Sequence, residues 1–254
     1  MWTHYPELLR RPVPRYTSYP TAADHAALDA IAPATPLSLY VHIPFCEEIC
    51  WYCGCNTARS NRRSRLSAYL DALHEEIIMV AQHLGGRGRV RRIAFGGGSP
   101  NAIEPLDFVR LLGSIMVAFQ AEDPLLSIEI DPRHVSEDWL SVLHAAKMRY
   151  ASMGVQTFDP RVQEAIGRVQ PRQQIETLTR ALRDAGIASL NFDLMYGLPH
   201  QDRDVLRETL ETAMALSPDR IALFGYAHVP HVLPRQRRID AGALPGEQER
   251  FAMA

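Results

Sequence analysis

Short apolar runs, many of them β-branched, alternate along the chain with longer stretches whose apolar residues recur every three or four positions. The runs are Leu37–Ile43, Val90–Phe95, Leu125–Ile130, Ala151–Val155, Leu190–Met195 and Ile221–Tyr226; their lengths and flanks predict strands. The intervening periodic stretches predict helices near 65–83, 105–119, 136–147, 160–167, 172–185 and 202–215. Pro105 suits a first helical turn, and Leu106, Val109, Leu112, Met116 and Phe119 then fall on one face as an apolar stripe. Ser136 before Glu137 and Asp138 reads as an N-cap with two carboxylates at the positive end of the helix. Gly186, after Ala185, stands where a helix C-cap belongs.

Strands alternating with helices imply right-handed βαβ units and a parallel sheet. Six such units form either an open, partial barrel or a doubly wound sheet. Polar and glycine residues gather at the predicted C-terminal ends of the strands, the face on which barrels build their sites. Arg168, on the following helix, is the exception. The expected fold is therefore α/β, a partial (β/α)6 barrel. Expected divisions are an N-terminal extension (1–36), the barrel (37–244) and the start of a C-terminal region (245–254). The last falls inside a new helix beginning near Pro245, so an incomplete protein is expected.

A length of 254 residues lies within the range of a single barrel domain. A net charge of -2 gives no reason to expect nucleic acid or an anionic membrane as partner. Lys147 is the one lysine among 27 basic residues, chiefly a bias toward arginine. No apolar run approaches the ~18 residues that span a bilayer, and Met1–Arg15 lacks an apolar signal-peptide core. A cytoplasmic protein is expected. The cysteines agree: all 4 lie between positions 46 and 55, unlike a disulfide framework that closes long loops.

The cysteine segment reads Cys46-Glu-Glu-Ile-Cys50-Trp-Tyr-Cys53-Gly-Cys55 and directly follows the first predicted strand. Three thiolates so spaced can wrap three irons of a cubane cluster from one loop, leaving the fourth iron open. Zinc sites usually join two separated ligand pairs, and no distant second pair exists here. Cys55 is a fourth ligand, a nearby thiol or a packing residue. Gly96-Gly97-Gly98-Ser99-Pro100 follows the second strand; three glycines allow close backbone approach to a ligand, or simply a tight turn. Glu129 lies in a run expected to be buried on both faces, so a partner for its carboxylate is expected. Gln156 and Asp193 serve either a ligand or buried backbone groups.

The stretch Tyr40-Val-His-Ile-Pro-Phe-Cys46 with its cysteines resembles the cluster loop of radical S-adenosylmethionine (SAM) proteins. More narrowly, the chain from Arg15 to about Leu244 is similar to oxygen-independent coproporphyrinogen III oxidases. The segment Pro14-Arg-Tyr-Thr-Ser-Tyr-Pro-Thr21 and the ending Cys53-Gly-Cys55 carry the narrower match. The resemblance implies a [4Fe–4S] cluster on Cys46, Cys50 and Cys53, with Cys55 not a ligand. It implies one SAM at the cluster, beside Tyr40, Tyr52, Gly97, Gly98, Ser99 (where the family usually has Thr) and Glu129. It assigns Gln156, Arg168, Asp193 and Ala227 to a second SAM; the family commonly has Asn where Gly167 precedes Arg168.

The resemblance further implies that a 5′-deoxyadenosyl radical removes hydrogen from two propionates of coproporphyrinogen III in turn, giving the vinyl groups of protoporphyrinogen IX. Arg15 is then the candidate propionate clamp and Tyr40 a catalytic position. Expected partners are coproporphyrinogen III and a low-potential electron donor, with the chain acting as a monomer. The alternatives are a haem-binding chaperone of the same superfamily, another radical enzyme, or a catalytically incomplete product.

Overall fold

A computed structural model describes residues 28–254 of the chain. Arg15 and the Pro14–Thr21 segment therefore lie outside the described residues. In chain order the elements are β1 (Pro36–Ile43), β2 (Phe45–Cys46), β3 (Ala58–Arg59), α1 (Arg63–Leu84), β4 (Arg89–Gly97), α2 (Pro105–Ala118), β5 (Leu125–Ile130) and α3 (Glu137–Ala145). There follow β6 (Tyr150–Gln156), α4 (Pro160–Ala165), α5 (Arg172–Asp184), β7 (Ser189–Tyr196), α6 (Arg203–Ala215), β8 (Arg220–Gly225) and α7 (Glu247–Met253).

The large sheet has 6 parallel strands in the order β1-β4-β5-β6-β7-β8, and β2 and β3 pair separately. Each strand of the large sheet thus lies beside its successor. A doubly wound sheet would reverse direction at a switch point; this order never reverses, and the winding is that of a partial barrel. All six expected strands and the six helices between them are present, with ends displaced by a residue or two.

Strand alternation divides the protein into two faces. Val41, Ile43, Ile93, Phe95, Ile128, Ile130, Met153 and Val155 point outward and are buried under the helices. There Phe108 packs edge-on to Phe95 at 4.8 Å between ring centroids and lies 5.0 Å from Trp139. Each such side chain, fully buried, contributes roughly 1.5–3 kcal/mol. The alternate residues, among them Ser127, Glu129, Ser152 and Gly154, face the concave side.

Three expectations need correction. The buried stripe of α2 is Phe108, Leu111 and Ile115, whereas Leu106 and Val109 are exposed. This helix is apolar nearly all round, so two stripes of the same period compete and the sheet selects the one holding Phe108. Glu129 is not buried on both sides: its strand alternates, and the carboxylate opens onto the concave face. Arg168 is not on a helix; α4 ends at Ala165 and Arg168 follows Gly167 (φ +63°) in a loop.

The local signals at helix ends hold. Ser136 Oγ accepts the Trp139 N–H at 3.2 Å. Gly186 adopts φ +98°, letting the Ile187 N–H reach the Leu182 carbonyl at 3.0 Å and close α5. The final helix, α7, packs mainly on α6 and donates from Arg250 Nη2 to the Tyr226 carbonyl at 2.5 Å. No described helix is long and apolar enough to cross a membrane.

Candidate active site

β1 runs directly into the cysteine loop. Its ends are joined where β2 pairs with β3: the Ala58 N–H reaches Pro44 O at 2.7 Å and the Ser60 N–H reaches Cys46 O at 2.9 Å. The middle is tied to distant chain. The Trp51 N–H donates to Ile166 O at 3.0 Å, Gln236 Nε2 to Tyr52 O at 3.1 Å, and Arg235 Nη1 to Thr57 Oγ1 at 3.0 Å. Gly167 makes the first of these contacts feasible, since a Cβ there would stand 2.6 Å from the Trp51 indole.

Beside this loop, at the C-terminal ends of the strands, lies a cavity of about 450 Å³. Cys46, Cys50, Cys53, Cys55, Tyr52, Gly97, Gly98, Ser99, Glu129, Gln156, Arg168, Asp193 and Ala227 all line it. Tyr40 does not. It lies on β1 beside His42, 3.3 Å from that ring's Nδ1. A larger hollow of about 900 Å³ lies at the opposite end of the strands, around Leu37, Arg89 and Val90, and holds no cysteine.

The glycine turn is forced by packing. A Cβ on Gly98 would meet the Phe45 backbone at 2.5 Å, and one on Gly96 the Glu129 carboxylate at 2.6 Å. The Gly97 N–H in turn donates to Glu129 Oε2 at 3.1 Å. Burial among protein atoms pushes the Glu129 carboxyl up, partly offset by that N–H, while Asp193 adds repulsion. Burial likewise raises Asp193, against the hydrogen bonds from Ser152 Oγ at 2.7 Å and Asn191 Nδ2 at 2.7 Å.

The thiols differ. The interaction with Cys55 holds the Cys53 thiol down at about 6 despite burial. Burial carries Cys46 up to about 11, with Ser99 pulling the other way. Cys50 is the most buried of the four.

Arg168 is buried, donates to Gly154 O at 2.6 Å, to Cys50 Sγ at 3.2 Å and to both oxygens of Asp131. Its Nε is buried with no partner among the described residues. Sequence reasoning gave no role to Asp131, Arg133, Ser152, Asn191 or Gln236. Asp131 and Arg133 stand one and three residues beyond β5, at the same strand ends as the residues it did select, and that position was the available signal.

The sequence profile of the Radical SAM superfamily matches residues 40–213. The chain belongs to this superfamily. It is 43% identical over 253 residues to the anaerobic coproporphyrinogen III oxidase 1 of Cereibacter sphaeroides, covering 95% of this chain and 56% of that protein. It superimposes on the Escherichia coli coproporphyrinogen III oxidase, itself a radical SAM enzyme, with a TM-score of 0.87 and 39% identity, over 94% of this chain and 57% of that one. The archaeal Elp3 of Methanocaldococcus infernus matches at TM-score 0.55 and 13% identity over 88% of this chain and 53% of that one, a likeness of fold alone. The chain thus spans little more than half the length of the curated relatives it matches.

Membership of the radical SAM superfamily implies a [4Fe–4S] cluster and SAM. The donor set fits. A single zinc ion bound at ~2.3 Å needs its sulfurs within roughly 4 Å of one another, and no group of three described His, Cys, Asp or Glu residues suits one ion. Cys46, Cys50 and Cys53 line one cavity from a single loop, a set of soft ligands that suits a cubane. The orphaned Arg168 Nε and the paired carboxylates supply polar anchors for a zwitterionic, sugar-bearing molecule.

Proposed function

We propose that this chain carries the radical core of an oxygen-independent coproporphyrinogen III oxidase, which converts two propionates to vinyl groups during haem biosynthesis. What carries this reading is the 43% identity to a protein so named, over 95% of this chain. In this reading Cys46, Cys50 and Cys53 hold the cluster, and Cys55 tunes Cys53 without being a ligand. When bound, the cluster supplies the electron that cleaves SAM reductively and so makes hydrogen abstraction feasible.

The chain's own residues would bind and orient. Gly97, Gly98, Ser99, Glu129 and Tyr52 line the cavity and serve the first SAM, with Tyr40 acting from β1 outside that lining. Gln156, Arg168, Asp193 and Ala227 line the same cavity and serve a second. Asp193, whose two oxygens already accept from Ser152 and Asn191, keeps lone pairs for hydroxyl donors. Arg15 clamps a propionate. The enzyme draws on a low-potential electron donor and acts as a cytoplasmic monomer.

The test is anaerobic reconstitution with iron and sulfide, followed by an assay for 5′-deoxyadenosine with and without coproporphyrinogen III. Substrate-dependent 5′-deoxyadenosine with loss of carbon dioxide is the expected result from the chain in its full-length context. Cleavage that is indifferent to the porphyrinogen, in that same context, rejects the substrate. Binding of haem without turnover would instead mark a chaperone.

A further inference from the structure

Two guanidiniums, bridged by one carboxylate, converge on the sulfur of Cys50. Asp131 accepts from Arg133 Nη2 at 2.6 Å and Nε at 3.0 Å, and from Arg168 Nη2 at 3.2 Å. Both guanidiniums also donate to Cys50 Sγ, Arg168 at 3.2 Å and Arg133 at 3.5 Å. Neither Cys46 nor Cys53 receives a guanidinium hydrogen bond among the described residues. The loop that carries Asp131 and Arg133 is itself fixed: Asn101 accepts the Asp131 N–H at 3.0 Å and donates to the carbonyls of Asp131 and His134 at 3.1 and 2.7 Å.

The charges do not balance inside. The side chains of Asp131, Arg133 and Arg168 are 5%, 6% and 7% exposed. Two cations share one anion, leaving a surplus positive charge directed at Cys50. The remaining partner, Glu48, is 55% exposed and takes only the outer edge of Arg133, at 2.9 Å. A surplus buried charge is costly unless something anionic meets it. Arg168 with Asp131 alone would be neutral, so a purely structural pair has no need of Arg133.

We infer that Arg133, braced by Asp131, is a positioning residue that aims cationic donors at the Cys50 sulfur and raises the reduction potential of the cluster held there. The inference rests on the cluster reading given above. Donors to a cluster sulfur stabilise the extra negative charge of the reduced state, and such hydrogen bonds are among the protein's means of setting the potential. The same residue splints the loop between its first two cysteines, through the Glu48 carboxylate at 2.9 Å and carbonyl at 3.4 Å.

The experiment is an anaerobic redox titration of the reconstituted chain, followed by the low-temperature EPR signal of the reduced cluster, with iron counted per chain. Arg133→Gln removes the inner charge and is expected to make reduction roughly tenfold less favourable, about 59 mV lower for a one-electron couple. Glu48→Gln removes the offsetting outer charge from an exposed position and is expected to shift the potential the other way, by a smaller amount. Opposite signs in the two variants are what a merely structural role would not produce. Unchanged potentials in both variants, at full iron content, overturn the inference. If Arg133→Gln takes up no cluster, Glu48→Gln decides alone: a raised potential supports the assignment, and an unchanged or lowered one overturns it. Absence of a cluster from the unmodified chain, or its retention in Cys50→Ala, would instead reject the cluster reading itself.

Discussion

Gly98, within the triple-glycine turn, and Gly113, inside α2, sit in opposite situations. A methyl group on Gly98 would stand 2.5 Å from the Phe45 carbonyl oxygen, a backbone atom that cannot swing aside, whereas nothing lies within 4 Å of one on Gly113. Gly98→Ala is therefore expected to destabilise by about 1–3 kcal/mol. Gly113→Ala, inside α2, should stabilise by about 0.5–1 kcal/mol. Urea denaturation of both variants checks the pair, and equal effects would mean that the glycine turn has room to relax. Among the cysteines, Cys46→Ser, Cys50→Ser and Cys53→Ser should each abolish a four-iron signal, while Cys55→Ser retains it. Equilibrium dialysis of reconstituted protein should find two SAM molecules per chain, falling to one in Asp193→Ala. A stoichiometry of one in the unmodified protein would count against the second site.

At the scale of the elements, α2 offers a direct test of which face the sheet selects. Phe108→Ala should cost about 3–5 kcal/mol, and Leu106→Ala no more than about 0.5 kcal/mol; thermal melts of the two variants separate the faces. A second element-level device joins α5, β7 and the start of β8. Asp219 accepts the Leu190 N–H at 2.8 Å and Arg183 Nη2 at 2.6 Å, which together hold its carboxyl below the ordinary carboxylate range. Because the folded pKa is the lower one, this contribution is complete above the unfolded value of about 3.9. It is lost as pH falls through the folded value. Asp219→Asn should thus lower the melting temperature at neutral pH, with the difference closing in acid.

Strand and helix order was legible because period-2 and period-3.6 patterns change abruptly at Pro36, Arg89, Arg149 and Ser189. The orientation of α2 was not, because Leu106 and Phe108 are equally apolar and only the sheet distinguishes them. The cysteine loop and the strand-end residues were legible as a group. The roles of Asp131 and Arg133 were not, since they depend on Cys50 and Arg168, which only tertiary structure brings beside them.

Taken whole, the sheet ends at β1 and β8, which do not pair with each other among the described residues. On β8, Phe224 lines the cavity, while Ile221 and Leu223 face the other way at 36% and 37% exposure. An edge of this kind recruits other strands. For the monomer proposed above, light scattering of the 254-residue chain at rising concentration should detect no association, and association abolished by Leu223→Lys would identify this edge as its site.

The fastening of Tyr52 by Gln236 bears on how the protein is made. The two residues stand 184 positions apart. At about 5–20 residues per second, a ribosome needs on the order of 10–40 s to traverse that interval. Throughout that time the cysteine loop has emerged, but its anchors at Ile166, Arg168 and Gln236 do not all exist. A loop synthesised early is thus among the last segments to take shape. On the cluster reading proposed above, iron and sulfide would accordingly meet a complete set of anchors only once the barrel is finished, and until then the nascent thiols are open to any oxidant that reaches them.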